Sequence, residues 1–244
     1  MNWKKIHIEE TDSTNRYLWE FHGEEDMVVV VADYQTAGRG QGTNSWESER
    51  GKNLLFSILV KPTMMTPANQ FVLSMAEALA LKSVLDDYTD DITLKWPNDI
   101  YWKDKKIGGT LIETAVADHC LKKCVFGTGI NVNQEVFRSD APNPVSLRQI
   151  LGRETPVDEI LQQVLEAFER EYQKVLSGDY DDISTRYQQA LYRRTGYHTY
   201  RDENGLFEAA MIGVRPTGQL LLRDREGKAR EYMFKEVTFM RVDE

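Results

Sequence analysis

At 244 residues and 41% hydrophobic content, the chain has room for one large domain, or one with a small appendage, and the composition of an ordinary soluble globular protein. A net charge of -9 argues against a sequence-independent grip on DNA or RNA, which is built from basic patches, and leaves room only for a local basic pocket. No run reaches membrane-spanning length, residues 1–8 lack a signal peptide's apolar core, and Cys120 and Cys124 suit a reduced cytoplasm; with only His119 beside them they make no zinc site.

Residues 3–8 alternate as a short strand. Asp12 or Ser13 then caps a helix that buries Tyr17, Leu18 and Phe21. The hydroxyls of Ser13 and Thr14 fit a plain cap, and they also fit donation to a polar ligand head at a helix N-terminus. Residues 27–33 are almost uniformly β-branched and read as a central strand buried on both faces; residues 54–60 read as a second.

Between those strands lies Gln35-Thr-Ala-Gly38-Arg39-Gly40-Gln41-Gly42-Thr43-Asn44-Ser45-Trp46. Its glycines let backbone approach a ligand, successive N–H groups in such a loop form an anion-binding concavity, and Arg39 adds a planar fork suited to carboxylate or phosphate. The loop is longer than a hairpin needs, which points to function. It is neither a P-loop, since Lys and Ser/Thr do not follow the second glycine, nor a dinucleotide fingerprint, since a strand rather than a helix follows.

Thr66-Pro67 opens a helix whose core face carries Phe71, Val72, Met75, Leu79 and Leu85. The next strand ends in Lys95-Trp96-Pro97-Asn98-Asp99, where Pro97 stops the ladder and Asn98 and Asp99 favour a turn. Lys95 at the strand end can meet an anion, and Asn98 and Asp99 offer oxygens of the kind that hold magnesium alongside phosphates. The same residues also make an ordinary turn with a solvated lysine, and the turn alone does not decide between the two. Gly108-Gly109 inside a strand suggests close approach to the backbone, with the Lys106 ammonium placed over it. The strand at 121–132 ends in Gly127-Thr-Gly129-Ile-Asn131, whose two glycines share a face and leave a flat floor for a planar ring or alkyl chain. Three glycine clearings and three cations, Arg39, Lys95 and Lys106, call for an anionic, partly apolar and phosphate-bearing ligand.

Pro142 to Gly152 reads as a loop and short helix. Thr155 with Asp158 reads as a capping pair opening a long helix with the core stripe Val157, Ile160, Leu161, Val164, Leu165, Phe168, Tyr172 and Val175, ended by Gly178; another helix covers 183–192. From Thr195 the period changes to two, with turns at Asn204-Gly205, Pro216-Thr-Gly218 and Glu226-Gly227, as in a small antiparallel barrel.

Asp12-Ser-Thr-Asn15, Gln35-Thr-Ala-Gly-Arg-Gly40 with Trp46, Lys95-Trp-Pro-Asn-Asp99, Lys106 through Gly109 and Gly127-Thr-Gly-Ile-Asn131 together resemble, in order and spacing, the biotin–protein ligases that biotinylate acetyl-CoA carboxylase and its relatives. The resemblance covers roughly the first half of the chain. It implies an α+β fold: a class II synthetase-like catalytic domain over 1–193, with a central, mostly antiparallel mixed sheet flanked by helices, and a small SH3-like barrel over 194–244. It also implies that biotin and ATP with Mg²⁺ give biotinyl-5′-AMP, and that biotin then passes to a lysine of a biotin carboxyl carrier protein. By the same resemblance Ser13, Thr14 and Gln35 hold the ureido ring; Gly38, Arg39 and Lys106 meet the carboxylate and phosphate; and Gly109, Gly127 and Gly129 floor the biotin pocket. Gly40, Trp46 and Asn131 lie on the adenine and nucleotide side, and Lys95, Asn98 and Asp99 serve phosphates and metal. Arg39, Lys95 and Lys106 are the expected catalytic residues.

One departure stands out. Many relatives carry a second arginine two residues after the first and another basic residue before the tryptophan, where this chain has Gln41 and Asn44. The alternatives are a lipoate–protein ligase, of related fold, and a non-catalytic biotin- or nucleotide-binding module. Repressor relatives carry a DNA-binding unit before the Ser-Thr-Asn motif; only a dozen residues precede Ser13, so no DNA partner is expected. No membrane partner is expected either, and a homodimer through sheet edges is left open.

Overall fold

The computed structural model describes residues 3–63, 65–139, 141 and 143–241; Pro142, the expected start of a loop, lies outside them. A seven-stranded sheet forms the centre, in the order β1-β2-β3-β7-β6-β5-β4. Its strands are β1 (Trp3–Thr11), β2 (Met27–Gln35), β3 (Leu54–Val60), β4 (Ile92–Lys95), β5 (Asp99–Trp102), β6 (Lys105–Ala117) and β7 (Cys120–Ile130). Only β1 and β2 run parallel; the other neighbouring pairs are antiparallel. This is the mixed, mostly antiparallel sheet expected.

The β-branched run of β2 explains its central place. Val28 and Val30 pack with Leu18 of helix α1 (Thr14–Trp19) on one face. Met27, Val29 and Val31 join the main core on the other. That core is roofed by α2 (Gln70–Asp86), α4 (Val157–Ser177) and α5 (Tyr180–Gln189). Helix α2 is apolar nearly all round, as a helix enclosed on every side must be, yet it carries one fully buried charge, Glu77.

Three local readings need correction. Tyr17 is exposed, and α1 buries Thr14 and Asn15 with Leu18 instead, because it leans on a polar part of the sheet. Thr155 does not cap α4: the N-cap is Pro156, and the Thr155 backbone is taken up by Asn133, whose side chain accepts from Thr155 N at 2.9 Å and donates to Thr155 O at 2.8 Å. Helix α5 starts at Tyr180, three residues before the expected 183. Between β7 and α4, helix α3 (Leu147–Leu151) has a reciprocal capping box, Ser146 with Gln149, that the sequence reading missed.

The C-terminal strands β8 (Tyr197–Asp202), β9 (Gly205–Val214), β10 (Leu220–Asp224), β11 (Ala229–Tyr232) and β12 (Thr238–Phe239) pair antiparallel in the order β11-β10-β9-β8-β12. The turns between β8 and β11 fall at the three places expected. This sheet docks on the N-terminal half. The Trp96 indole N–H donates to Gly218 O at 2.8 Å, and the Phe234 ring lies 5.4 Å from that of Trp96.

Candidate active site

The glycine loop folds back on itself between β2 and β3. Gly40 N donates to Asn44 O at 2.7 Å, and Trp46 N donates to Gly38 O at 2.9 Å. Part of the expected anion cradle is therefore spent inside the loop. Gly38 serves the loop's closure: a methyl there would lie 2.6 Å from the Trp46 carbonyl oxygen.

The loop walls a cavity of about 280 Å³ that gathers nearly every residue singled out above: Ser13, Thr14, Gln35, Arg39, Gly40, Trp46, Lys95, Asn98, Asp99, Lys106, Gly109, Gly127 and Gly129. Gly38 and Asn131 are not in its lining. Asn131 is buried behind it, its Nδ2 donating to Val145 O at 3.1 Å. That bond ties the end of β7 to the segment before α3, so Asn131 does not face the cavity.

The three cations do converge. Arg39 Nη1 lies 3.3 Å from Glu113 Oε1, and Lys106 Nζ lies 2.6 Å from Asp99 Oδ1. Both cations are held by carboxylates, groups that a ligand carboxylate or phosphate can replace like for like. Lys95 is different: its ammonium donates to the Tyr101 hydroxyl at 2.9 Å and sits 4.7 Å from the Tyr101 ring centroid and 5.4 Å from that of Phe239. Burial lowers its pKa from the usual lysine range, Asp99 opposes that, and Lys106 adds to it.

A polar cluster faces the cations. Gln35 Oε1 accepts from Thr14 N at 2.8 Å and from the Thr14 hydroxyl at 3.0 Å, which fixes the amide and leaves its NH₂ group available. The Ser57 hydroxyl lies 2.8 Å from Thr14 Oγ1 and 2.7 Å from Asn15 Oδ1. Asn15 Nδ2 donates to Glu113 Oε2 at 3.0 Å, linking α1 to the carboxylate that holds Arg39.

The glycine floor differs from the bare surface expected. A methyl on Gly127 would collide with the Asn15 amide, and one on Gly129 would come within 2.6 Å of Trp46 Cζ2. The missing side chains thus make room for this chain's own Asn15 and Trp46. The indole covers Gly129, and its Nε1 is buried with no partner among the described residues.

Under that floor, Thr110 and Thr128 donate their hydroxyls to Glu77 Oε1 at 2.9 and 2.7 Å. Burial pushes the Glu77 carboxyl up to about 7, with the two threonine bonds opposing. Thr110 also accepts from Asn98 Nδ2 at 2.6 Å through its carbonyl, so Glu77 supports the turn that follows Lys95. Sequence reasoning missed Asn15, Thr110, Thr128 and Glu77. It also missed the C-terminal contributors Lys235, Val237, Thr238 and Phe239. Asn15 and Thr128 stand inside motifs quoted above, and that was the one signal that could have found any of these.

Residues 7–131, just over half of the chain, match the biotin/lipoate A/B protein ligase family. The chain belongs to that family. Among curated members of this ligase family, it is 30% identical over 213 residues to the bifunctional ligase/repressor BirA of Bacillus subtilis, covering 84% of this chain and 64% of that protein. To BirA of Escherichia coli K12 it is 32% identical over 170 residues, covering 66% of this chain and 53% of that protein. The chain thus spans between about half and just under two thirds of the length of these relatives. Among solved structures, the biotin protein ligase from Aquifex aeolicus in complex with biotin and ATP matches with a TM-score of 0.81 at 27% identity, covering 98% of this chain and 99% of that chain. The family's mixed α+β fold, with its central sheet flanked by helices, is the fold seen here. No helix among the described residues is long and apolar enough to cross a membrane.

Proposed function

We propose that this chain activates biotin with ATP to biotinyl-5′-AMP and passes the biotinyl group to a lysine of a biotin carboxyl carrier protein of acetyl-CoA carboxylase or a related carboxylase. The observation that carries this reading is the convergence of Arg39, Lys95 and Lys106 on one cavity beside a fixed neutral amide set. The Aquifex relative, whose structure holds biotin and ATP, supports it.

The chemistry asks for what the cavity offers. The biotin carboxylate attacks the α-phosphorus, an O–P bond forms, and the bond to the leaving pyrophosphate breaks. Two anions must meet, so fixed cations have to offset their repulsion and stabilise the in-line transition state. Arg39 and Lys106 exchange Glu113 and Asp99 for the substrate's carboxylate and phosphate oxygens. Lys95 waits with a desolvated ammonium. Gln35, its carbonyl held by Thr14, turns its NH₂ to the ureido oxygen, with Ser13 beside it. In the second step the carrier lysine's amine attacks the acyl carbon and AMP leaves. No covalent enzyme nucleophile is required.

The donor set fits magnesium only in one form. Among the described residues no group of three or more His, Cys, Asp or Glu could hold a metal. Asn98 and Asp99 supply one or two oxygens, which suits an ion that arrives with phosphates. When bound there, the ion would neutralise phosphate charge. Residues 1–193 form the catalytic unit in this reading, and 194–244 a small SH3-like barrel that closes the nucleotide side. The setting is cytoplasmic, and the outer edge of β1, with no partner strand among the described residues, is where a second copy would add.

The test is transfer of radiolabel to an isolated carrier domain. Biotin with ATP and Mg²⁺ should label it; labelling by lipoate instead, or ligand binding without pyrophosphate release, would overturn the proposal. A further expectation concerns Gln41 and Asn44, which line the cavity without charge. A charge-assisted bond contributes about 1.5–3 kcal/mol, so Gln41→Arg should slow biotinyl-AMP release by roughly tenfold or more. Equal off-rates, measured by trapping released adenylate, would remove the idea.

A further inference from the structure

Lys235 comes from the β11–β12 connection in the C-terminal sheet, yet it lines the same cavity as Arg39, Lys95 and Lys106. Its ammonium lies over the tip of the glycine loop: a methyl on Gly42 would collide with it and would sit 3.2 Å from Lys235 Cε. Its backbone has φ 72°, in the left-handed region that lysine rarely adopts and that costs free energy unless the surroundings impose it. Such outliers cluster at ligand clamps and active sites.

Two comparisons within the site sharpen this. Arg39 and Lys106 are each held by a carboxylate, and Lys95 by the Tyr101 hydroxyl. Lys235 makes no ion pair among the described residues, so it faces the cavity with its charge uncommitted. The cavity lining holds four cations against one carboxylate, Asp99, in a chain of net charge -9. Opposite Lys235, the loop offers only the neutral Gln41, Gly42 and Asn44. A nucleotide triphosphate concentrates its charge on the two phosphates that do not join the carboxylate. With Arg39 and Lys106 engaged at the reacting end, Lys235, the cation without an ion-pair partner among the described residues, is left to meet that part.

The geometry points to Lys235 as a nucleotide-specificity residue supplied by the C-terminal sheet: it binds the terminal phosphates of ATP, the pair that leaves as pyrophosphate, across the tip of the glycine loop. This rests on the ligase reading above. It makes the C-terminal sheet part of the nucleotide site and distinguishes triphosphate from monophosphate.

Calorimetric titration of the full chain with ATP, AMP and biotin tests it, on wild type, Lys235→Gln, Lys235→Gly and Lys235→Arg. Both charge-removing variants should weaken ATP binding by about tenfold, the loss of one charge-assisted phosphate contact. AMP and biotin binding should be unchanged, and Arg should retain ATP affinity. Lys235→Gly also separates charge from backbone: glycine is at ease at this φ, so its thermal midpoint should equal or exceed the wild-type value while ATP affinity falls. Wild-type ATP affinity in both Gln and Gly variants would overturn the assignment, as would an equal loss for AMP. Failure of wild type itself to bind ATP would instead bring down the ligase reading, and this inference with it.

Discussion

Lys106→Ala should lower biotin-dependent ATP–pyrophosphate exchange by about 100- to 1000-fold, the usual cost of removing one preorganised group that stabilises developing charge. Lys106 has the geometry for it. Its ammonium lies 2.6 Å from Asp99, over Gly109 within β6, and 5.7 Å from the Trp46 ring centroid. The pair is partly open to solvent, so its loss should move the thermal midpoint by only a few degrees. Biotin affinity should fall less than exchange, because the neutral contacts of Thr14 and Gln35 remain. Unchanged exchange in a folded variant would remove Lys106 from the chemistry.

The second large effect is on stability, and it has a sign. Glu77 is fully buried, and its folded pKa is raised by burial from an ordinary 4.5 to about 7. The contribution is therefore fully present below about pH 4.5, where folded and unfolded chains both hold the proton. It is lost as pH rises through about 7, because the unfolded chain ionises first. The difference corresponds to about 3 kcal/mol of stability. Glu77→Gln carries no titration at this position. Relative to that variant, wild type should lose about 3 kcal/mol between pH 4.5 and 8, measured by urea denaturation at each pH. Parallel profiles for the two proteins would show that Glu77 does not keep its proton. Because Thr110 and Thr128, which bond to Glu77, line the cavity, the same titration should loosen the site floor above neutral pH.

Much of this was written in local pattern. The uniform β-branching of β2 announced a strand buried on both faces, and alternate residues do enter different cores. The stripe on α4 from Ile160 to Val175 is buried as its spacing requires. The three cations were legible because each sits where a strand ends or a loop begins, and strand ends on one edge of a sheet meet. What was not legible depends on contacts between distant segments. Gly127 and Gly129 look like an open floor until Asn15 and Trp46 are seen to occupy them. Nothing in the local pattern singles out Glu77; only the enclosure of α2 shows it buried. Lys235 lies in a segment read simply as a barrel, and docking of that sheet through Trp96 and Phe234 brings it to the cavity. Thr155 failed as a cap because Asn133, over twenty positions away in sequence, claims its backbone.

The central claim is that one cavity joins an acid to a nucleotide. Mass spectrometry of the protein's products with biotin, ATP and Mg²⁺, and no acceptor, tests it most directly. Biotinyl-5′-AMP should form, with one pyrophosphate for each adenylate. Production of ADP and phosphate, or no adenylate at all from folded protein saturated with both substrates, would contradict it.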